Sequence, residues 1–179
     1  MKKILMLLVL LSSVMPAWAA TDNTAASSTT ANPWYAGIGV GVDQPLTNWN
    51  TGYALGFGGN LFAGYAIEGP WAVQVNIDPF LYSSNGYTLT NLRFLAEAKY
   101  TFAGQGWQPY VLAGPGAVFQ SLSPGTFSTI NFAAVVGVGA QFDLGGKLHL
   151  YIEAKDHFIL PSGPAQMDLP ITAGIWTSL

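Results

Sequence analysis

Trp34-Tyr35-Ala36-Gly37-Ile38-Gly39-Val40-Gly41-Val42-Asp43 alternates strictly. Trp34, Ala36, Ile38, Val40 and Val42 fall on one parity, and Tyr35, Gly37, Gly39, Gly41 and Asp43 on the other. Successive side chains of an extended chain point to opposite faces, so this stretch reads as a strand with one apolar face. The pattern recurs down the chain in segments of roughly ten residues, the length that spans a bilayer as a tilted strand.

The periodicity predicts seven further strands. Ala54 to Ala66 sets Leu55, Phe57, Gly59, Leu61, Ala63 and Tyr65 against Gly56, Gly58, Asn60 and Gly64, with Phe62 as an inward exception. Pro70 to Phe80 sets Trp71, Val73, Val75 and Ile77 against Ala72, Gln74, Asn76 and Asp78, the cleanest alternation in the chain. Asn91 to Phe102 carries Arg93, Glu97 and Lys99 on one face, opposite Leu92, Phe94, Ala96, Ala98, Tyr100 and Phe102. Gln108 to Phe119 shows little polarity difference between its faces, and Pro115 removes a ladder donor, so a bulge is expected there. Ile130 to Asp143, Lys147 to Phe158 and Leu169 to Leu179 complete the set, with Asn131, Gln141, His149, Tyr151, Glu153, Lys155, His157, Thr172, Gly174 and Trp176 inward.

Turn chemistry tests these phases. Asn85-Gly86 is a type I′ signal, and a two-residue turn there opposes Ser84 to Tyr87 and Asp78 to Arg93. Opposed residues share a face, and periodicity alone puts both Asp78 and Arg93 inward. At Leu144 to Gly146 a two-residue Gly145-Gly146 turn breaks the phases, whereas a three-residue loop opposing Gln141 to His149 keeps them.

Composition decides which face meets what. Charged residues are 8% of the chain, against roughly 25% in ordinary soluble domains. A water-facing surface is hard to build from that, and a soluble lipocalin-like barrel would carry its apolar face inward, where this chain carries its charges. No apolar stretch beyond the N-terminal segment approaches the ~20 residues of a spanning helix. The closed barrel is then the structure that crosses lipid with every backbone group paired. The fold expected is all-β, an eight-stranded antiparallel up-and-down transmembrane β-barrel.

The N-terminus agrees. Lys2 and Lys3 precede the apolar run Ile4 to Leu11, and Ala17-Trp18-Ala19 supplies a small-residue cleavage signature. Residues 1–20 read as a signal peptide, 21–33 as a flexible polar leader and 34–179 as the barrel. Without Lys2 and Lys3, four basic residues face nine acidic ones, a balance that argues against a nucleic-acid partner. There is no cysteine, which removes disulfides and thiol chemistry.

Short links at Ile67 to Gly69, Ala103 to Trp107 and Leu144 to Gly146 alternate with longer ones at Gln44 to Tyr53, Leu81 to Thr90, Gln120 to Thr129 and Ile159 to Asp168. That is the asymmetry of periplasmic turns and outer loops. Two aromatic belts are expected: Trp34, Tyr65, Trp71, Tyr100, Phe102, Tyr110 and Phe142 at the short-turn end, and Phe80, Tyr82, Tyr87, Phe119 and Phe158 at the other.

From Trp34 to Leu179 the chain resembles the small eight-stranded outer-membrane barrels, such as the transmembrane domain of outer-membrane protein A and related surface proteins. Trp34-Tyr35-Ala36-Gly37-Ile38-Gly39, Gly64-Tyr65, Pro109-Tyr110 before Gly114 and Gly116, Gly137-Val138-Gly139 and the terminal Ala173-Gly174-Ile175-Trp176-Thr177-Ser178-Leu179 carry the likeness. The resemblance implies residence in the outer membrane of a Gram-negative bacterium among phospholipid and lipopolysaccharide. It also implies recognition of the C-terminal strand by the barrel assembly machinery. Leu179 departs from the family's usual terminal aromatic, and a C-terminal peptidoglycan-binding domain is absent from the sequence.

The inward charges Asp78, Arg93, Glu97, Lys99, Glu153 and Lys155 are the candidate site, since buried charges need partners. They read as an ion-pair network plugging the lumen, or as the constriction of a weak porin-like conduit; the barrel's narrowness favours the plug. Many inward glycines leave room for water unless Phe62, Tyr151 and Trp176 fill it. The enzymatic alternative is a lipid A modifying barrel of deacylase or acyltransferase type. Such a deacylase would carry a Ser two residues after its His, and here Ile159 follows His157. Without a Ser/His pair and an orienting acid, no catalytic residue is assigned. Ser162 and His157 could approach in the fourth outer loop, but a lone rim His is usually just polar. His149 and His157 lie toward opposite ends of one strand, so neither a metal site nor a cofactor is assigned. Asp156 has outward parity and is expected at the outer rim, within reach of headgroups or water. The function expected is structural, surface-interacting or weakly porin-like, with no ligand signature in the outer loops.

Overall fold

The computed structural model describes residues 32–47, 55–125, 127–161 and 164–179. The proposed signal peptide and leader, Ala54 and Ser162 lie outside the described residues, apart from Asn32 and Pro33. Eight strands run in chain order: β1 Trp34–Pro45, β2 Gly56–Ala66, β3 Trp71–Ser84, β4 Tyr87–Thr101, β5 Trp107–Ser123, β6 Ser128–Asp143, β7 Leu148–Leu160 and β8 Gln166–Ser178. Each pairs antiparallel with its neighbours, and β1 pairs with β8, so the sheet is a closed barrel. Leu179 N–H donates to the Trp34 carbonyl at 2.9 Å and fastens the seam. Closure leaves no sheet edge.

The alternation sorts as composition demands. Ile38, Val40, Phe57, Leu61, Val75, Phe94, Val136, Ile152 and Ile175 are exposed on the outside, while Asn60, Gln74, Asn76, Asp78, Glu97, Gln120 and Asn131 are buried inside. The Asn85-Gly86 hairpin has the expected register, with Ser84 opposite Tyr87 and Asp78 opposite Arg93. Both turn residues adopt positive φ, 48° and 82°, as type I′ requires.

Three expectations are corrected. The strands run further outward than the apolar alternation does, because pairing continues past the lipid band. Leu81 to Thr90 is therefore a continued ladder closed by two residues, not a long loop. Between β6 and β7, Asp143 opposes His149 and Gln141 opposes Tyr151. The register is two residues from that expected, and the faces are preserved. Gly145 and Gly146 both take positive φ, Gly145 N–H donates to Asp143 Oδ1 at 2.7 Å, and Leu144 N–H donates to the Leu148 carbonyl. The three-residue turn is therefore Gly145-Gly146-Lys147, with both glycines left-handed, in place of Leu144-Gly145-Gly146. At Pro115 there is no bulge: Leu95 opposes Gly116 and Ala98 opposes Ala113 in one continuous register.

What occurs at Pro115 is an interruption of pairing, and it occurs twice more. The β2–β3 ladder breaks between Gly58↔Phe80 and Leu61↔Ile77, at Pro79, and the β7–β8 ladder between Ala154↔Ile171 and His157↔Asp168, at Pro170. Proline has no N–H to give. Register resumes unchanged each time, so the wall stays in phase.

Candidate functional site

Tyr35, Phe62, Tyr151 and Trp176 pack together at the inner end of the lumen. Three of these rings sit over glycines of other strands. A Cβ at Gly37 would lie 2.4 Å from the Phe62 ring, one at Gly64 2.2 Å from Tyr35, and one at Gly39 2.2 Å from the Tyr151 hydroxyl. These inward glycines are sockets for rings, not space for water, whereas Gly41, Gly137 and Gly174 are closed off by neighbouring backbone and non-aromatic side chains. His149 stacks on Trp176 with ring centroids 3.8 Å apart. Tyr110 also points inward, 2% exposed, and so do Phe80 and Tyr82 at the outer end, both fully buried. These three leave the expected belts, because each shares the parity of the lumen residues on its strand. Trp34, Tyr65, Trp71, Phe102, Phe142, Phe119 and Phe158 do face outward, while Tyr87 has the lumen parity of its strand and is exposed at the hairpin tip.

All six predicted charges are buried in the lumen. Four of them form one cluster: Lys155 Nζ lies 3.2 Å from Asp78 Oδ2, 3.2 Å from Glu97 Oε1 and 3.1 Å from Glu153 Oε1. Neutral donors complete the carboxylates. Gln74 and Asn76 donate to Glu97 Oε2 at 2.7 and 2.6 Å, and Tyr110 donates to Glu153 Oε2 at 3.0 Å. Lys99 stands apart from this cluster, donating to Gln141 Oε1 at 2.9 Å with its ammonium 4.0 Å from the Tyr110 ring centroid.

Arg93 opens a second cluster. Though opposite Asp78 in the ladder, its guanidinium pairs with Asp43 and with Asp168 Oδ2, the latter at 2.8 Å. Tyr82 donates to Asp43 Oδ2 at 2.5 Å, and Phe80 lies under the guanidinium at 5.0 Å. His157 Nδ1 is 2.8 Å from Asp168 Oδ1, and its Nε2 is 4.0 Å from Asp78 Oδ2. His157 thus bridges the two clusters. Ion pairs of this kind, drawn from five strands, hold the wall from within.

The family model described as an outer membrane protein beta-barrel domain matches residues 4–170. The chain belongs to that family. Among solved structures, this outer-membrane barrel is similar to neisserial surface protein A, at 17% identity over 82% of this chain and 97% of that one, TM-score 0.72. It is likewise similar to OprG of Pseudomonas aeruginosa, at 11% identity over 80% and 93%, TM-score 0.59. Ail, the attachment invasion locus protein of Yersinia pestis, matches at 18% identity over 81% and 99%, TM-score 0.51. At such identities the likeness is one of fold. No curated protein matches the chain. The barrel resides in the outer membrane of a Gram-negative bacterium, in an environment of phospholipid and lipopolysaccharide.

Sequence reasoning missed Asp43, Tyr82 and Asp168 as members of the network, and left His157 without a partner. Asp43 carried a signal, its inward parity on the opening strand. Asp168 lay among prolines and glycine that read as a loop, yet it opposes His157 on the ladder.

Proposed function

We propose that this outer-membrane barrel is a non-catalytic, sealed scaffold whose ion-pair network closes the lumen and whose outer turns do any interacting with the surroundings. The observation that carries the reading is the Lys155 cluster, which joins β3, β4 and β7 across the interior. The Arg93 cluster joins β1, β4 and β8 nearer the outer end. An eight-stranded barrel is just wide enough for its side chains to fill, and the inward rings and amides occupy the remaining depth. His157 is fully buried and engaged with Asp168, which withdraws it from lipid esters and supports a non-enzymatic reading over a lipid A modifying one. Export by a cleaved segment of residues 1–20, a polar leader over 21–33 and recognition of the C-terminal strand by the assembly machinery belong to the same reading.

Single-channel recording on refolded protein in planar bilayers tests it. Wild type, Lys99→Ala and Glu153→Ala, each verified as folded and inserted, are expected to stay silent at moderate voltage. Reproducible conductance whose ion selectivity changes in those variants would establish a conduit instead.

A further inference from the structure

Asp156 is out of place. On β7 its parity is that of Leu150, Ile152, Ala154, Phe158 and Leu160, the lipid-facing set. It was expected at the outer rim, but apolar side chains continue beyond it: Phe158 and Leu160 on its own strand, and Ile130 and Phe132 on β6, the last two 73% and 80% exposed. It opposes Val136, and Leu160 opposes Phe132. At a strand tilt near 40° the rise along the barrel axis is about 2.5 Å per residue, which sets Asp156 about 10 Å below the outer end of β7 and inside the apolar band. An ionisable group at such a depth is a functional-site hypothesis with a partner to be named.

The described residues give its Oδ1 none: that atom is covered and has no hydrogen-bond partner. The neighbouring ladder is one of the three that break, with Lys155 and Asp156 facing Pro170 and Leu169. Directly below lies a groove of about 270 Å³ lined by Val138, Ala140, Ile152, Ala154 and Ile171, where alanines let another surface come close.

The geometry points to a second copy of this chain as the occupant, two barrels meeting β7 to β7 about a two-fold axis with their Asp156 carboxyls paired. Among the described residues no lysine or arginine lies on the outward parity of any strand, so another face of the same chain offers no counter-ion. A carboxyl group is its own complement: with Oδ1 covered by the chain itself, a protonated Oδ2 of one copy donates to Oδ2 of the other. An isologous contact brings the same residue from both copies together. Acyl chains fill the groove but offer no donor at this depth. Polar side chains are established drivers of association between membrane-spanning elements.

The test uses the full chain reconstituted in vesicles. The described residues contain no cysteine, so single labels report cleanly. Energy transfer between donor- and acceptor-labelled copies is expected to fall with lipid dilution as for a dimer. Asp156→Asn, whose amide is also self-complementary, keeps the association, and Asp156→Leu weakens it at least tenfold while the barrel stays folded. Ala154→Cys or, independently, Phe158→Cys forms a symmetric disulfide; Val75→Cys on the opposite wall does not. Monomeric wild type, association unchanged in Asp156→Leu, or equal cross-linking at Val75→Cys would each overturn the proposal. Monomers whose Asp156→Leu variant differs only in lipid retention or in capture of a cationic partner would assign the carboxyl to that other occupant.

Discussion

The two ends of the lumen are filled by different physics. At the inner end, rings lie over glycine: Phe62 meets Tyr151 edge to face at 5.4 Å and Tyr35 packs on Trp176 at 5.4 Å. Further out, Phe80 and Tyr82 also cover glycines, but there the rings surround carboxylates and cations that meet in the Lys155 and Arg93 clusters. Packing tolerates a swap of similar volume at modest cost. A buried ion pair does not, because removing one partner strands the other in low dielectric. The difference separates volume from charge as the quantity each end depends on.

Isosteric substitutions break that comparison most directly. Lys155→Met keeps the volume and strands Asp78, Glu97 and Glu153. It is expected to destabilise the barrel the most, by about 3–5 kcal/mol, measured by urea unfolding in lipid vesicles. Arg93→Met is expected to follow within that range but lower, since Asp168 keeps His157 and Asp43 keeps Tyr82. Phe62→Leu at the aromatic end is expected to cost only about 1 kcal/mol. Were Phe62→Leu to cost as much as Lys155→Met, the division between the ends would be wrong. Tyr151→Phe sharpens it, removing the 2.5 Å hydrogen bond to Asn60 Oδ1 but not the ring, for a loss of about 1 kcal/mol. Gly86→Ala, outside both ends at φ 82°, is expected to cost about 1 kcal/mol through backbone strain alone, whatever fills the lumen.

Strand number, direction and the face of almost every residue were legible in the sequence, because a period of two admits no intermediate phase. The Asn85-Gly86 turn was legible for a similar reason: its chemistry admits few geometries. The loop at Gly145-Gly146 was not, since a glycine pair fits more than one turn placement that preserves the faces. Phe80, Tyr82 and Tyr110 were misplaced where the expectation that aromatics form belts prevailed over their own parity. Within the site, the six charges and their burial were readable, but their pairing was not. Ladder register fixes neighbours along the wall, whereas Arg93 reaches Asp43 and Asp168 through the middle of the barrel. That reach depends on the stagger of all eight strands and the length of the guanidinium arm, neither of which leaves a local trace.

The three breaks in the backbone ladders have a mechanical consequence. Asp78 faces the break at Pro79, Glu97 the break beside Pro115, and Lys155 the break at Pro170. Three members of a single ion cluster therefore stand behind the places where three pairs of staves are least joined to one another. The Lys155 ammonium ties β3, β4 and β7 together across the interior, so each weakened seam has one of its two staves anchored from within.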